Sequence, residues 1–394
     1  MAGGQDLQSH AGASMLPSLT VIVTGGTPMR KNVSGLVLAG MVLTLTPALY
    51  ADVKLPHVFS DHMVLQQDMA VPIWGTADAG EEVTVSVAGQ EAKTKADADG
   101  KWTVRLKAIA AKGPPVEMTV AGKNTVKIAD VLVGEVWVAS GQSNMQLTVK
   151  QARNPDKEVA AADYPQIRMF TVSRVAAGKP MSDVDGKWEV CSPKTAGDFS
   201  AVGYFFARDL HKTLNVPVGV LNTSWGGTPA ESWTSRPTLE ADADLRVIVE
   251  RSDKMIADYR KTLEDYKKAM VAWIDESIAA TGPLGEAPKP APTLPADPRA
   301  HSWRAGGLYN AMIAPLVPYA IRGAIWYQGE SNANRAFQYR KLFSAMIQDR
   351  AHMIGGRVAD RLSRLRHQIG NVNPRGARFA NRVSHAGDQQ IGDD

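Results

Sequence analysis

Val131-Leu132-Val133-Gly134-Glu135-Val136-Trp137-Val138-Ala139-Ser140-Gly141-Gln142-Ser143-Asn144-Met145 is the stretch that decides the fold. Its first nine residues are a nearly continuous apolar run, the pattern of a parallel strand buried on both faces. Its last six are mostly small or polar, the pattern of a chain leaving a sheet through a tight turn. Working outward, Ile167 to Val172, Val216 to Leu221 and Ile321 to Tyr327 read as three further strands. A helix capped by Ser200 follows the second, with Val202, Phe205, Phe206 and Leu210 on one stripe. Another follows the fourth, with Tyr339, Leu342, Phe343, Met346 and Ile347 on one face. Strands alternating with helices predict an α/β domain with a parallel sheet and flanking helices.

Upstream, residues 52–130 follow a different pattern. Val83, Val85 and Val87 alternate with Thr84 and Ser86, and Trp102, Val104 and Leu106 repeat the period after a turn at Asp97–Gly100. Val126 and Ile128 continue it. Short alternating strands between Gly/Asp turns predict a small antiparallel β-sandwich. His62, in Phe59-Ser60-Asp61-His62-Met63, reads as structural there. The change of pattern at Val131 sets a boundary between residues 52–130 and an α/β domain over 131–349. Within the latter lies an insertion at about 234–303: a charged helical stretch at about 239–278, then six prolines between 283 and 298 forming a stiff excursion.

A chain of 394 residues with 44% apolar and 21% charged residues is globular and long enough for two domains. Its net charge of +4 supplies no field for nucleic acid, and we expect no nucleic-acid partner. The single cysteine, Cys191, excludes an internal disulfide framework and a cysteine-based zinc site. Residues 29–51 carry Arg30 and Lys31, an apolar run from Leu36 to Leu45, and small residues at Ala48 and Ala51. That layout predicts a secretory signal peptide, a periplasmic or secreted location, and no membrane span in the mature chain. Residues 1–28 then read as a mis-annotated leader. At the other end, residues 350–394 hold eight arginines, four aspartates and no Lys, Glu, Trp or Tyr, so they carry the whole net charge. We read them as an aberrant Arg-rich tail, disordered or out of frame.

Three polar clusters occupy strand ends, where open α/β sheets bind ligands. They are Ser140 to Met145, Asn222 to Pro229, and Trp326 to Asn332. A serine after a buried strand, flanked by glycine, exposes its hydroxyl beside free backbone N–H groups, which suits nucleophilic attack on an acyl carbon.

Gly141-Gln142-Ser143-Asn144-Met145, Gly226-Gly227-Thr228-Pro229-Ala230-Glu231-Ser232-Trp233 and Trp326-Tyr327-Gln328-Gly329-Glu330-Ser331-Asn332 resemble the motifs of bacterial sialate O-acetylesterase-like proteins, carbohydrate acetylesterases of the SGNH hydrolase superfamily. The resemblance covers about residues 52–349, including Leu55-Pro56-His57-Val58-Phe59-Ser60-Asp61-His62-Met63. It implies an esterase that removes O-acetyl groups from acetylated sugars, with no cofactor and no metal. It further implies Ser143 as nucleophile, an oxyanion hole from Ser143, Gly227 and Gln328, and supporting roles for Glu330 and Asn144. Trp225 and Trp326 read as core or pocket wall rather than a sugar platform.

The family's general base is a histidine three residues after an aspartate in a late block. Of the eight histidines (10, 57, 62, 211, 301, 352, 367 and 385) only His352 has an aspartate at that spacing, Asp349. That pair ends an amphipathic helical stretch, and we expect it to be unrelated to the site. The base is therefore unassigned, and the expectation is a chain lacking the C-terminal part of its α/β domain, impaired and poorly soluble. The alternatives left open are a non-catalytic carbohydrate-binding protein and, within the esterases, an acetylxylan esterase.

Overall fold

The computed structural model describes residues 52–111, 113–280 and 289–350. The stretches read as a leader and a signal peptide, and the Arg-rich stretch beyond Arg350, lie outside the described residues. In chain order the strands are β1 (Val64–Gln66), β2 (Val71–Thr76), β3 (Glu82–Val87), β4 (Gln90–Lys95), β5 (Lys101–Leu106), β6 (Val116–Ala121), β7 (Thr125–Gly141), β8 (Tyr164–Thr171), β9 (Trp188–Cys191), β10 (Val218–Asn222) and β11 (Gly323–Tyr327). The helices are α1 (Ser143–Gln146), α2 (Pro155–Ala160), α3 (Ala201–Leu214), α4 (Arg236–Glu240), α5 (Ala243–Ala279) and α6 (Ala336–Arg350).

The architecture is a mixed α/β sheet of nine strands with flanking helices, accompanied by a small antiparallel pair, β2 with β5. Along the large sheet the order is β4-β3-β6-β7-β10-β8-β9. Strands β1, β10 and β11 lie parallel to β7, and β10 lies parallel to β8. Among the described strands, β11 pairs with β7 alone. In β3 and β5, Val83, Val85, Val87, Trp102, Val104 and Leu106 are buried while their neighbours reach solvent, as half-buried antiparallel strands require.

β7 is where the structure differs from the sequence reading. The change of pattern at Val131 is a change of environment inside one 17-residue strand, not a break between strands. Up to Val131 it pairs antiparallel with β6. From Leu132 it runs parallel to β1, then to β10 and β11 on its two edges. Covering both faces from Val131 onward removes the need for polar residues on alternate positions.

The α3 stripe also differs. Its buried residues are Ala201, Gly203, Tyr204 and Ala207, while Val202, Phe205 and Phe206 are half-buried. Small residues let the helix approach the sheet, and the phenylalanines pack at the margin, Phe206 edge-on to Trp137 at 5.0 Å. The charged stretch is α4 followed by the 37-residue α5. Only the start of α5 is buried, at Leu245, Ile248, Val249 and Ser252, against Leu239 of α4 and Leu342 of α6. The proline-rich return runs back along it: Tyr259 Oη donates to Pro295 O and Trp273 Nε1 to Lys289 O.

Two polar clusters brace the sheet. Glu135, 4% exposed, accepts from Arg322 Nε and Nη2 at 2.8 Å each and from Gln67 Nε2 at 2.6 Å. This ties β7 to the segment entering β11. Near the turn from β6 into the parallel region, Arg168 forks onto Asp130, which also pairs with His62 Nδ1 at 2.5 Å. His62 is thus a strut from the turn before β1 to Asp130 within β7, and both residues have positive φ.

Candidate active site

The first motif forms because β7 ends at Gly141, whose φ of +142° only glycine adopts at little cost. A Cβ at that position would sit 2.1 Å from Tyr327 O, so glycine also permits the close approach of β11. Gln142 N donates to Tyr327 O at 2.9 Å, and Ser143 then opens α1 as its first residue, exposed to solvent. Met145 beneath it is buried, and its carbonyl accepts from Ser200 Oγ at 2.6 Å. The same Ser200 oxygen caps α3 by accepting from Gly203 N. One hydroxyl therefore fixes the Ser143 turn to the neighbouring helix.

The second motif leaves β10 and crosses directly over this turn. Trp225 N donates to Gly141 O at 3.0 Å, and Gly226 N to Gln146 Oε1 at 2.5 Å. A Cβ on Gly226 would lie 3.6 Å from both Cα and Cβ of Ser143, which measures how closely the loop passes the serine. At Gly227 the chain is left-handed, φ +73°, and a Cβ there would meet nothing within 4 Å. Among the described residues, neither the Ser143 nor the Gly227 backbone N–H meets a protein acceptor, and the Ser143 hydroxyl has no partner. Two orphan donors beside a free hydroxyl are the elements an acyl-transfer site requires.

The third motif closes the far side. Gln142 Oε1 accepts weakly from Gly329 N and Ser331 N, at 3.4 and 3.3 Å, and Asn144 Nδ2 donates to Glu330 Oε1 at 2.7 Å. Gln328 Nε2 donates to Asn332 Oδ1 at 2.6 Å and to Thr228 O at 3.2 Å, and its Oε1 is buried without a partner. The structure thus brings Ser143, Asn144, Gly227, Gln328 and Glu330 onto three adjoining loops at the carboxyl ends of β7, β10 and β11. Trp225 and Trp326 are half-buried; Trp326 packs edge-on to the buried Trp233 at 6.2 Å, as wall rather than platform.

Sequence reasoning missed the network behind these loops. Glu231, 2% exposed, receives Asn332 Nδ2 at 2.8 Å, Arg335 Nη1 at 2.6 Å and Arg251 Nη2 at 3.2 Å. Asn332 Oδ1 also accepts from Ala230 N at 2.9 Å. The second and third motifs are therefore bolted together through one buried carboxylate and one buried amide. Glu231 and Asn332 stood inside the second and third quoted motifs, but nothing in the sequence paired them.

Among the described residues no histidine hydrogen-bonds Ser143. His57 Nδ1 is paired with Asp183, His62 with Asp130, and His211 Nδ1 with Val216 O. His301 Nδ1 accepts from Trp303 N at 3.1 Å, which leaves the ring proton on Nε2, the wrong tautomer for a base acting there. Asp349 is engaged elsewhere: it accepts from Ser235 N, Ser235 Oγ and Thr238 Oγ1, holding the start of α4. His352 lies outside the described residues. The Cys191 thiol is buried and pushed up to about 12 by desolvation, so it is no nucleophile at neutral pH.

Compared with known proteins, the chain is 36% identical over 308 residues to the sialate O-acetylesterase of Rattus norvegicus, covering 73% of this chain and 54% of that one. It is 34% identical over 343 residues to the sialate O-acetylesterase of Homo sapiens, covering 80% and 56%. A crystal structure of a carbohydrate acetylesterase from Xanthomonas citri superposes with a TM-score of 0.58 at 34% identity, covering 76% of this chain and 57% of the other. No family profile matches. The chain spans about half the length of the curated relatives it matches.

Proposed function

The chain is a sialate O-acetylesterase-like, SGNH-type α/β protein, and from that premise we propose that it is a carboxylic-ester hydrolase removing O-acetyl groups from acetylated sugars. The observation that carries the proposal is the exposed Ser143 hydroxyl at the start of α1, with the N–H groups of Ser143 and Gly227 free beside it. Ser143 Oγ attacks the acetyl carbon and loses its proton to a general base. The carbonyl oxygen becomes an oxyanion held by the two backbone N–H groups. Collapse breaks the bond to the sugar oxygen, which leaves protonated, and water then attacks acetyl-Ser143 to release acetate. Each donor to the oxyanion is worth about 2.7–4 kcal/mol. Gln328 is the third donor of the set; in the free enzyme its amide is held by Asn332 and Thr228, and the weaker 3.2 Å bond is the one exchanged for the oxyanion. Asn144 and Glu330 hold the first and third loops together.

Arg30-Lys31 followed by the apolar Leu36–Leu45 run supports export, which would bring the enzyme to extracellular glycans. No described helix is long and apolar enough to cross a membrane.

Hydrolysis of p-nitrophenyl acetate by the full chain, compared with Ser143→Ala, tests the esterase reading. Turnover lost in the variant supports it. Glycan binding without any turnover would overturn it in favour of a carbohydrate-binding protein.

A further inference from the structure

The backbone donor of Gly227 stands in a run of two glycines, and the peptide between two glycines rotates at little steric cost. Its direction therefore has to be set from outside the pair. The neighbouring polar groups of the loop are committed. Trp225 N donates to Gly141 O at 3.0 Å, and Trp225 O accepts from Thr228 Oγ1 at 2.7 Å. That hydroxyl accepts in turn from the indole N–H of the buried Trp233 at 2.9 Å. Gly227 O accepts from Trp303 Nε1 at 2.8 Å. Gly226 N, the donor immediately before Gly227 N, goes to Gln146 Oε1 at 2.5 Å.

Gln146 ends α1 and Ser143 begins it. Three positions apart on a helix, they are neighbours on one face, so the side chain that receives Gly226 N–H rises from the same turn as the attacking hydroxyl. An amide accepts only through its oxygen, so the donor fixes which way round the Gln146 amide lies. The turn beneath is firm: Gln146 N donates to Gln142 O and Gln142 N to Tyr327 O, each at 2.9 Å. The peptide that carries Gly227 N–H thus sits between two pinned neighbours, one held through its N–H by Gln146 and one through its oxygen by Trp303. Drawing Gly226 N–H onto α1 also removes it as a competing donor and turns the next N–H toward Ser143.

We infer that Gln146 is a positioning residue of the oxyanion hole: by accepting Gly226 N–H it sets the direction of Gly227 N–H relative to Ser143 Oγ, acting through the loop rather than on the substrate. The inference rests on the esterase reading and adds to that site a residue the catalytic account does not use. A donor aimed at a developing oxyanion stabilises the transition state more than the bound ester, so its misalignment shows in kcat and not in KM.

The test follows p-nitrophenyl acetate hydrolysis by the full chain and two variants. Gln146→Met keeps the side chain's length without its amide acceptor, and should lower kcat roughly 10- to 100-fold at a KM within about twofold of the parent's. Gln146→Glu keeps an acceptor oxygen and should recover part of kcat, the remainder being lost to repulsion between its charge and the oxyanion. Amide exchange followed by NMR needs no turnover. Gly226 N–H should be protected in the parent and in Gln146→Glu, and should exchange roughly tenfold faster in Gln146→Met, while Trp225 N–H keeps its protection. A lowered melting midpoint with kcat unchanged below it is the outcome of a mere brace and overturns the inference. Equal protection of Gly226 N–H in Gln146→Met overturns it too. A parent that turns over no faster than Gln146→Met sinks this inference alone, whereas a parent without any turnover removes the esterase reading and the inference with it.

Discussion

Asn144 Nδ2 donates to Glu330 Oε1 at 2.7 Å across 186 positions of the chain. The residue after the proposed nucleophile is thereby fastened to the loop leaving β11. A double-mutant cycle of Asn144→Ala and Glu330→Ala, followed by urea unfolding, should return a coupling of about 0.5–1.5 kcal/mol, the range for a hydrogen-bonded polar pair. Additive single effects would mean that the two loops are held together by other contacts.

Gly141 and Gly227 both have positive φ, but they face different surroundings. A methyl at Gly141 runs into Tyr327 O, whereas one at Gly227 enters open space. Gly141→Ala should cost about 3 kcal/mol or more, combining backbone strain with displacement of β11. Gly227→Ala should cost only about 1–2 kcal/mol, the left-handed penalty alone. Urea or thermal melts of the two variants check the ordering.

Burial pushes the Glu135 carboxyl up, but hydrogen bonds and charge from Arg322, with the amides of Gln67 and Gln66, outweigh it and hold the group below its ordinary value of 4.5. A carboxylate depressed in the folded state contributes stability that is complete above the unfolded value and is lost as pH falls through the folded one. Glu135→Gln should therefore be less stable than the parent by about 2–3 kcal/mol at pH 7. The gap should narrow as pH drops below 4.5. Unfolding curves across an acid series measure it, and a gap independent of pH would contradict the assignment.

Glu231 gathers Asn332, Arg335 and Arg251 from two elements onto one buried carboxylate. Glu231→Gln leaves the two guanidinium groups without their counter-charge. Both arginines reach water in part, so the loss should be about 2–3 kcal/mol rather than that of a fully buried pair. Chemical denaturation gives the stability, and turnover shows whether the loosened loops still hold Gln328.

The parallel part of β7, β10 and the centre of β8 were legible because a strand covered on both faces must be apolar; β11, partly exposed, was legible only as an apolar run, and the bounds of β8, β10 and β11 differ from the expected ones by a few residues at the ends. The serine turn was legible because Gly141 and Ser143 are required by local backbone geometry and chemistry. What one side chain does to another far along the chain was not. Asp349 followed by His352 matched a spacing, yet its oxygens serve Ser235 and Thr238. Phe205 and Phe206 outranked Ala201 and Ala207 by hydrophobicity, but contact distance between α3 and the sheet favours the smaller residues.

The uninterrupted course of β7 bears on how the chain can be dissected. Because one ribbon of backbone is shared by the antiparallel and parallel arrangements, a cut at residue 130 severs a girder, and neither fragment retains a whole one. Amide exchange along positions 125–141 should report a single protected block. Damage to the pairing of β6 would then travel along that ribbon to the turn where Ser143 stands.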